Sequence, residues 1–108
     1  MIPQLTPGEL VCWRDDATRE APLLVDVREP WEFNLCRIEG SLLVPLGELT
    51  RRVDELPRDR PLVMVCHTGR RSQSAAMFLE QSGFGDVRNL KGGVERWAIE
   101  VDPSMRRY

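Results

Sequence analysis

Lysine is almost missing from this chain: among its 15 basic residues only Lys91 is not an arginine. Histidine occurs once, at His67, and cysteine three times, at Cys12, Cys36 and Cys66. An odd number of cysteines, with no Cys-x-x-Cys pair and no Cys/His ligand spacing, argues against both a disulfide framework and a metal site. No stretch approaches the ~20 apolar residues of a membrane span. The opening Met1-Ile-Pro-Gln-Leu-Thr-Pro shows no basic segment leading into an apolar one, so no signal peptide is expected. Charge leans only slightly to one side, 17 acidic residues against 15 basic. That balance argues against nucleic-acid or membrane-surface binding founded on net charge. Repeats, low-complexity segments and linkers are absent as well. These absences predict one reduced, cytoplasmic domain over residues 1–108.

What is present alternates between strand and helix signals. Thr6-Pro7-Gly8-Glu9 reads as a capping box, with Thr6 as N-cap, Pro7 at the first helical position and Glu9 reaching back. Its helix carries Leu10, Val11 and Trp13. Leu23-Leu24-Val25-Asp26-Val27 is an apolar strand interrupted by one carboxylate, which must be paired or lie at the strand end. Pro30 then opens a short helix with Trp31 and Phe33. Leu42-Leu43-Val44 is a second strand, closed by Pro45. Leu46, Leu49, Val53 and Leu56 follow at helical spacing, with Glu48 set to pair with Arg52 and Arg51 with Glu55. Leu62-Val63-Met64-Val65 is a third strand, and the helix expected from Ser72 turns Ala75, Ala76 and Leu79 to one face. Gly83 suits its C-cap. Asp86-Val87-Arg88-Asn89-Leu90 reads as a last strand, Gly92-Gly93 as a turn, and a short helix runs through Trp97. Strands apolar on both faces belong to parallel sheets covered on either side by helices. The expected fold is therefore α/β, with a mainly parallel central sheet and helices on both faces.

The chemistry concentrates in Cys66-His67-Thr68-Gly69-Arg70-Arg71-Ser72, where a strand ends on a cysteine and a short loop leads into a helix. A cysteine after an apolar run is commonly an inert small hydrophobe. Here, however, loop amides, a helix N-terminus and the cations Arg70 and Arg71 surround it, and all of them favour thiolate over thiol. Cys66 is expected to be reactive and anionic. Loops at the carboxyl ends of parallel strands form the binding crevice of such folds, so the Asp26-Val27-Arg28-Glu29 turn is expected close by.

Two reactions suit a cysteine in an anion-binding loop. Phosphate-ester hydrolysis through a phosphocysteine needs five residues between cysteine and arginine, so that the loop spans a phosphoryl group and ends on a bidentate cation. Only four separate Cys66 from Arg71, Ser72 stands where that arginine belongs, and no general-acid aspartate is evident. Sulfur transfer through a persulfide places a smaller group in a tighter ring of amides, and the loop size favours it. A pre-ionised thiolate needs no base, and neighbours in a tight loop rarely orient together, so His67 is read as a rim contact.

At this point the chain resembles the single-domain rhodaneses, thiosulfate sulfurtransferases of the rhodanese-like superfamily. The matching residues are Leu24-Val25-Asp26-Val27-Arg28-Glu29-Pro30-Trp31-Glu32-Phe33, then Ile38-Glu39-Gly40-Ser41 leading to Val44-Pro45. They continue through the Cys66–Ser72 loop with Ala75-Ala76, Gly83-Phe84, and Asn89-Leu90-Lys91-Gly92-Gly93-Val94 with Trp97. The resemblance implies that Cys66 carries the persulfide, that His67, Thr68, Gly69, Arg70 and Arg71 bind the substrate, and that Asp26, Arg28 and Ser72 support the loop. It implies no metal and no cofactor. The donor is then a small sulfur-bearing anion such as thiosulfate, and the acceptor is cyanide or a thiol, including that of a thioredoxin-like protein or a sulfur carrier. Arg71 is read evenly as a substrate contact or as a structural salt bridge. One segment departs from the pattern: Cys36-Arg37-Ile38 stands where the family often has Gly-His-Ile, and Cys36 is read as a packing residue. The tail Trp97–Ser104 looks like that of rhodanese domains which hand sulfur to ubiquitin-like carriers, and a sulfur relay is the alternative function. A non-catalytic interaction module would usually lack the cysteine.

Overall fold

The computed structural model describes residues 1–108. Thr6 caps the first helix as the sequence predicts. Its hydroxyl accepts from the Glu9 N–H at 3.2 Å, and the Glu9 carboxylate accepts from the Thr6 N–H at 2.8 Å. Helix α1 spans Pro7–Asp15, α2 Pro30–Leu35, α4 Arg70–Gln81 and α5 Gly93–Glu100. Between α2 and α4 the periodic run Leu46–Leu56 makes only one four-residue helical stretch, α3 (Leu49–Arg52), flanked by 3-10 turns at Leu46–Glu48 and Val53–Glu55. Leu49 and Leu56 are buried while Leu46 is exposed, so the run follows the sheet as a broken cover. Its ion pairs shift accordingly: Arg52 reaches both Glu48 and Glu55, and Arg51 pairs with Glu48 instead of Glu55.

Five strands form one sheet in the order β1-β5-β4-β2-β3: β1 Gln4–Leu5, β2 Leu23–Asp26, β3 Leu42–Leu43, β4 Leu62–Val65 and β5 Val87–Leu90. Every pairing is parallel. β1 is an edge strand of two residues that the sequence pattern does not announce. Parallel strands covered on both faces must be apolar on both, and the alternation is plain. Leu24, Val63, Val65 and Leu90 pack on one side with Leu10, Trp13, Val94 and Trp97 from α1 and α5. Val25, Leu62, Met64 and Val87 pack on the other with Leu49, Ala75, Ala76 and Leu79 from α3 and α4. Each fully buried aliphatic side chain contributes about 1.5–3 kcal/mol of burial energy. The small Ala75 and Ala76 let α4 lie close against the sheet, and Gly83, at φ +96°, ends that helix. No helix is long and apolar enough to cross a membrane.

This frame decides where the chemistry sits. β4 is central, and Val65 lies opposite Asp26 of β2. The loop after β4 and the turn after β2 therefore leave the sheet side by side.

Candidate active site

Cys66 directly follows β4, and its side chain is buried. Its Sγ accepts from the Gly69 N–H at 3.0 Å and lies 3.2 Å from the Ser72 hydroxyl. The helix after the loop starts at Arg70, two residues earlier than the side-chain pattern suggests, because Gly69 takes the N-cap position at φ +100°. That backbone is open to glycine and rarely to other residues. Ser72 thereby falls inside the first turn and is fully buried, with its hydroxyl beside the sulfur.

The loop is oriented from behind by α5. The Val94 N–H donates to the Cys66 carbonyl at 2.9 Å, and the Glu95 N–H to the His67 carbonyl at 3.0 Å. Across a trans peptide the N–H points opposite to the C=O. Holding those two carbonyls on α5 therefore turns the His67 and Thr68 amides away from it, the orientation an anion-binding ring of amides needs. The approach is so close that a Cβ on Gly93 would lie 2.3 Å from the Cys66 carbonyl oxygen.

The two loop arginines separate. Arg70 is exposed and makes no ion pair, whereas Arg71 forks onto Glu32 of α2 at 2.7 and 2.8 Å. Arg71 thus has the structural salt bridge that the sequence left open. The Arg71 guanidinium, with help from the Glu29 N–H and the Tyr108 hydroxyl, holds the Glu32 carboxyl down to about 2 against the resistance of burial. Arg71 in turn is pushed above its ordinary value, first by Glu32 and, more weakly, by the charge of Cys66.

From Glu32 a chain of polar contacts runs into the core. The Tyr108 hydroxyl donates to Glu32 Oε2 at 2.7 Å and accepts from Arg28 Nη1 at 2.9 Å. Arg28, wholly buried, grips Asp26 through Nε and Nη2, the latter at 2.8 Å. Burial disfavours the Arg28 charge, but the bonds to Asp26 and Tyr108 outweigh it and its pKa rises. The carboxylate inside the strand is therefore paired, as the sequence requires, and Asp26 and Arg28 connect to the loop through Tyr108, Glu32 and Arg71. Arg28 Nη2 also donates to the Cys36 carbonyl at 2.7 Å. Cys36 packs against the α1/α5 core cluster, and Arg37 lies over the Phe33 ring at 4.7 Å.

His67 and Thr68 sit at the outer edge of the loop. Thr68 is exposed, and the His67 ring stacks on Tyr108. His67 Nε2 is buried and has no hydrogen-bond partner within the protein. The sequence reading missed Glu32, Tyr108 and Asn89 as members of this cluster. Asn89 bridges it to β1, donating to the Gly69 carbonyl at 3.1 Å and to Gln4 Oε1 at 2.9 Å. All three carry partners dozens of residues away, which no local pattern displays. The three cysteines are unpaired, and no cluster of side chains has the makings of a metal site.

The family model described as Rhodanese-like domain matches residues 9–100. The chain is 37% identical over 106 residues to the probable adenylyltransferase/sulfurtransferase MoeZ of Mycobacterium tuberculosis, covering 96% of this chain but only 26% of that protein. It is 42% identical to a sulfurtransferase of Allochromatium vinosum, over 76% of this chain and 77% of the other. The thiosulfate sulfurtransferase GlpE of Pseudomonas syringae is 40% identical over 72% of this chain and 74% of its own length. Among solved structures, a rhodanese-related protein of Thermoplasma volcanium superposes with a TM-score of 0.83 at 29% identity, over 92% of this chain and 93% of that one.

Proposed function

Since this chain belongs to the rhodanese-like domain family of sulfurtransferases, we propose that it moves a sulfane sulfur from thiosulfate, or from a persulfide, to a thiophilic acceptor through a persulfide on Cys66. The observation that carries this reading is the sulfur's position. Sγ lies at the carboxyl end of the central strand, holds the Gly69 amide, and is enclosed by a loop whose carbonyls are tied back on α5. The Cys66 thiolate attacks the outer sulfur of thiosulfate. An S–S bond to Sγ forms as the S–S bond of thiosulfate breaks, and sulfite leaves with the electron pair. In the second half-reaction cyanide or an acceptor thiolate attacks the outer sulfur, and Sγ departs as thiolate. Electrons balance without a cofactor. The inward amides stabilise the charge on the outer sulfur, Arg70 attracts the anionic donor, and Thr68 and His67 line the rim. Arg71 acts from its bond to Glu32, as a fixed charge near the sulfur. Three unpaired cysteines suit a reducing, cytoplasmic setting.

The test is mass spectrometry after incubation with thiosulfate. The protein should gain one sulfur atom on the Cys66 peptide, cyanide should remove it as thiocyanate, and Cys66→Ser should gain none. Sulfur on exposed Cys12 or half-buried Cys36, with Cys66 unmodified, overturns the assignment.

A relay role is the second reading. It is favoured by the similarity to MoeZ over nearly the whole of this chain and by a 38% identity to the putative sulfur carrier protein YrkF of Bacillus subtilis. In that case the acceptor is a thiol or a carrier terminus on another protein. Turnover with protein acceptors far above that with cyanide would distinguish it.

A further inference from the structure

The Ser72 hydroxyl has one hydrogen and two claimants. Its Oγ lies 2.6 Å from Asn89 Oδ1 and 3.2 Å from Cys66 Sγ. A side-chain amide oxygen only accepts, so the 2.6 Å contact requires the serine to donate to Asn89. The amide cannot be reversed. Asn89 Nδ2 is needed by the Gly69 carbonyl and by Gln4 Oε1, and Gln4 is itself fixed by donating from Nε2 to Gln73 Oε1 at 2.7 Å. The Gly69 carbonyl is backbone and only accepts, so a flipped Asn89 would set its oxygen against it, two acceptors together. With its proton committed to Asn89, Ser72 can only accept from the sulfur, which suits a thiol. A thiolate has no proton to give. It needs the serine proton, and taking it leaves Asn89 Oδ1 facing an oxygen lone pair at short range in a buried site.

We propose that Asn89 is a positioning residue for the nucleophile: by competing for the only proton of Ser72 it makes that hydroxyl a two-position donor, turned to Sγ in the free thiolate and to Asn89 in the persulfide. The inference rests on Cys66 being the sulfur-carrying residue. In the persulfide, Sγ is a neutral bridging atom and the charge lies on the outer sulfur, among the loop amides. Ser72 is then free to return to Asn89. The bare thiolate is thus the state in which Asn89 goes unsatisfied, and loading with sulfur relieves it. Asn89 raises the drive for the first half-reaction by making the unloaded thiolate less comfortable.

The charged and titratable groups around the sulfur are few. They are Arg71 of α4, held by Glu32 of α2, Arg70 and His67 of the loop, and beside His67 the tail's Tyr108 and Glu95 of α5. None of them bonds to Ser72 or Asn89, so all persist in variants of those two.

The experiment is a double-mutant cycle read by alkylation of the Cys66 peptide as a function of pH, which needs no sulfur donor. A failure here is therefore separate from a failure of persulfide loading. With Asn89→Leu, Ser72 donates to Sγ without competition. The pH–rate curve should move towards acid, and labelling at mildly acidic pH should rise about three- to tenfold, the scale of one ordinary hydrogen bond, here the Ser72–Asn89 bond that ionisation no longer has to give up. Ser72→Ala should move the curve towards alkali. In the Ser72→Ala background Asn89→Leu should have no effect on it. An equal shift in both backgrounds, or a shift towards alkali, overturns the proposal, because Asn89 would then act through packing. Should Asn89→Leu fail to fold, the wild-type protein still decides. The Asn89 side-chain carbonyl resonance should move as the unloaded thiol ionises and stay fixed over the same pH range in the persulfide form. A resonance indifferent to both overturns it.

Discussion

The ring of Tyr108 lies flat on that of His67, their centroids 4.0 Å apart and their planes 12° from parallel. The tail is thereby fastened to the outer edge of the Cys66 loop, and the hydroxyl of the same tyrosine closes the chain between Arg28 and Glu32.

Tyr108 is the only tyrosine, so the phenolate absorbance of the protein reports this contact alone. Burial, opposed by Arg28 and reinforced by Glu32, pushes its pKa up to about 12 from 10.0. The folded state holds this proton more tightly than the unfolded chain. Its contribution to stability is therefore complete below pH 10 and is lost as the pH rises towards 12. Spectrophotometric titration should give a midpoint near the upper figure in the native protein and near the lower one in denaturant. A native midpoint at the ordinary value would mean that the tail is not docked. Tyr108→Phe keeps the ring stack but leaves Arg28 and Glu32 each short of a partner, and urea unfolding should show a loss of about 1–3 kcal/mol.

Glu32 gives the opposite pH dependence. Its folded pKa, about 2 against an ordinary 4.5, means that its contribution is present above pH 4.5 and lost as the pH falls towards 2. Glu32→Gln should cost about 1–2 kcal/mol at neutral pH, the figure being moderated by the partial exposure of Arg71. The stabilities of the variant and the wild type should converge in acid. A constant gap across that range would show that the pair is not charged as described.

Gly93→Ala tests the backing of the loop. The added Cβ would meet the Cys66 and His67 carbonyl oxygens at 2.3 and 2.4 Å, at a φ of +59°. One of the two hydrogen bonds from α5 must break or the loop must shift. The expected loss is about 2–4 kcal/mol of stability and at least tenfold in the rate of persulfide loading. Gly8→Ala, where an added Cβ meets nothing within 4 Å, should leave loading unchanged.

Features built within a few residues were legible in the sequence. The Thr6–Glu9 capping box, the positive-φ Gly83 after α4 and the strand-loop-helix setting of Cys66 all depend on near neighbours. Alternating strands and helices also led to the parallel sheet. The break in the Leu46–Leu56 cover was not legible, because helical periodicity records which side chains face the sheet and not whether the backbone stays α-helical between them. β1 escaped because two residues carry no period. The site showed the same division. Cys66 and its loop stand out, while Arg71 was ambiguous because its partner Glu32 is 39 residues away. Asn89 was visible only within a family motif, and its role follows from an oxygen of Ser72 that the fold brings beside it.

The chain from Asp26 through Arg28, Tyr108 and Glu32 to Arg71 adds up to no net charge, two carboxylates against two guanidiniums. An anion approaching Cys66 meets the amides and, of the two loop arginines, only Arg70 with an unshared charge. Exposed single charges are screened over about 8 Å at physiological ionic strength. Salt should therefore slow the capture of a charged donor by the modest factor that one mobile arginine allows, while the sulfur, held by neutral dipoles in a buried loop, keeps its reactivity at salt concentrations that silence the surface.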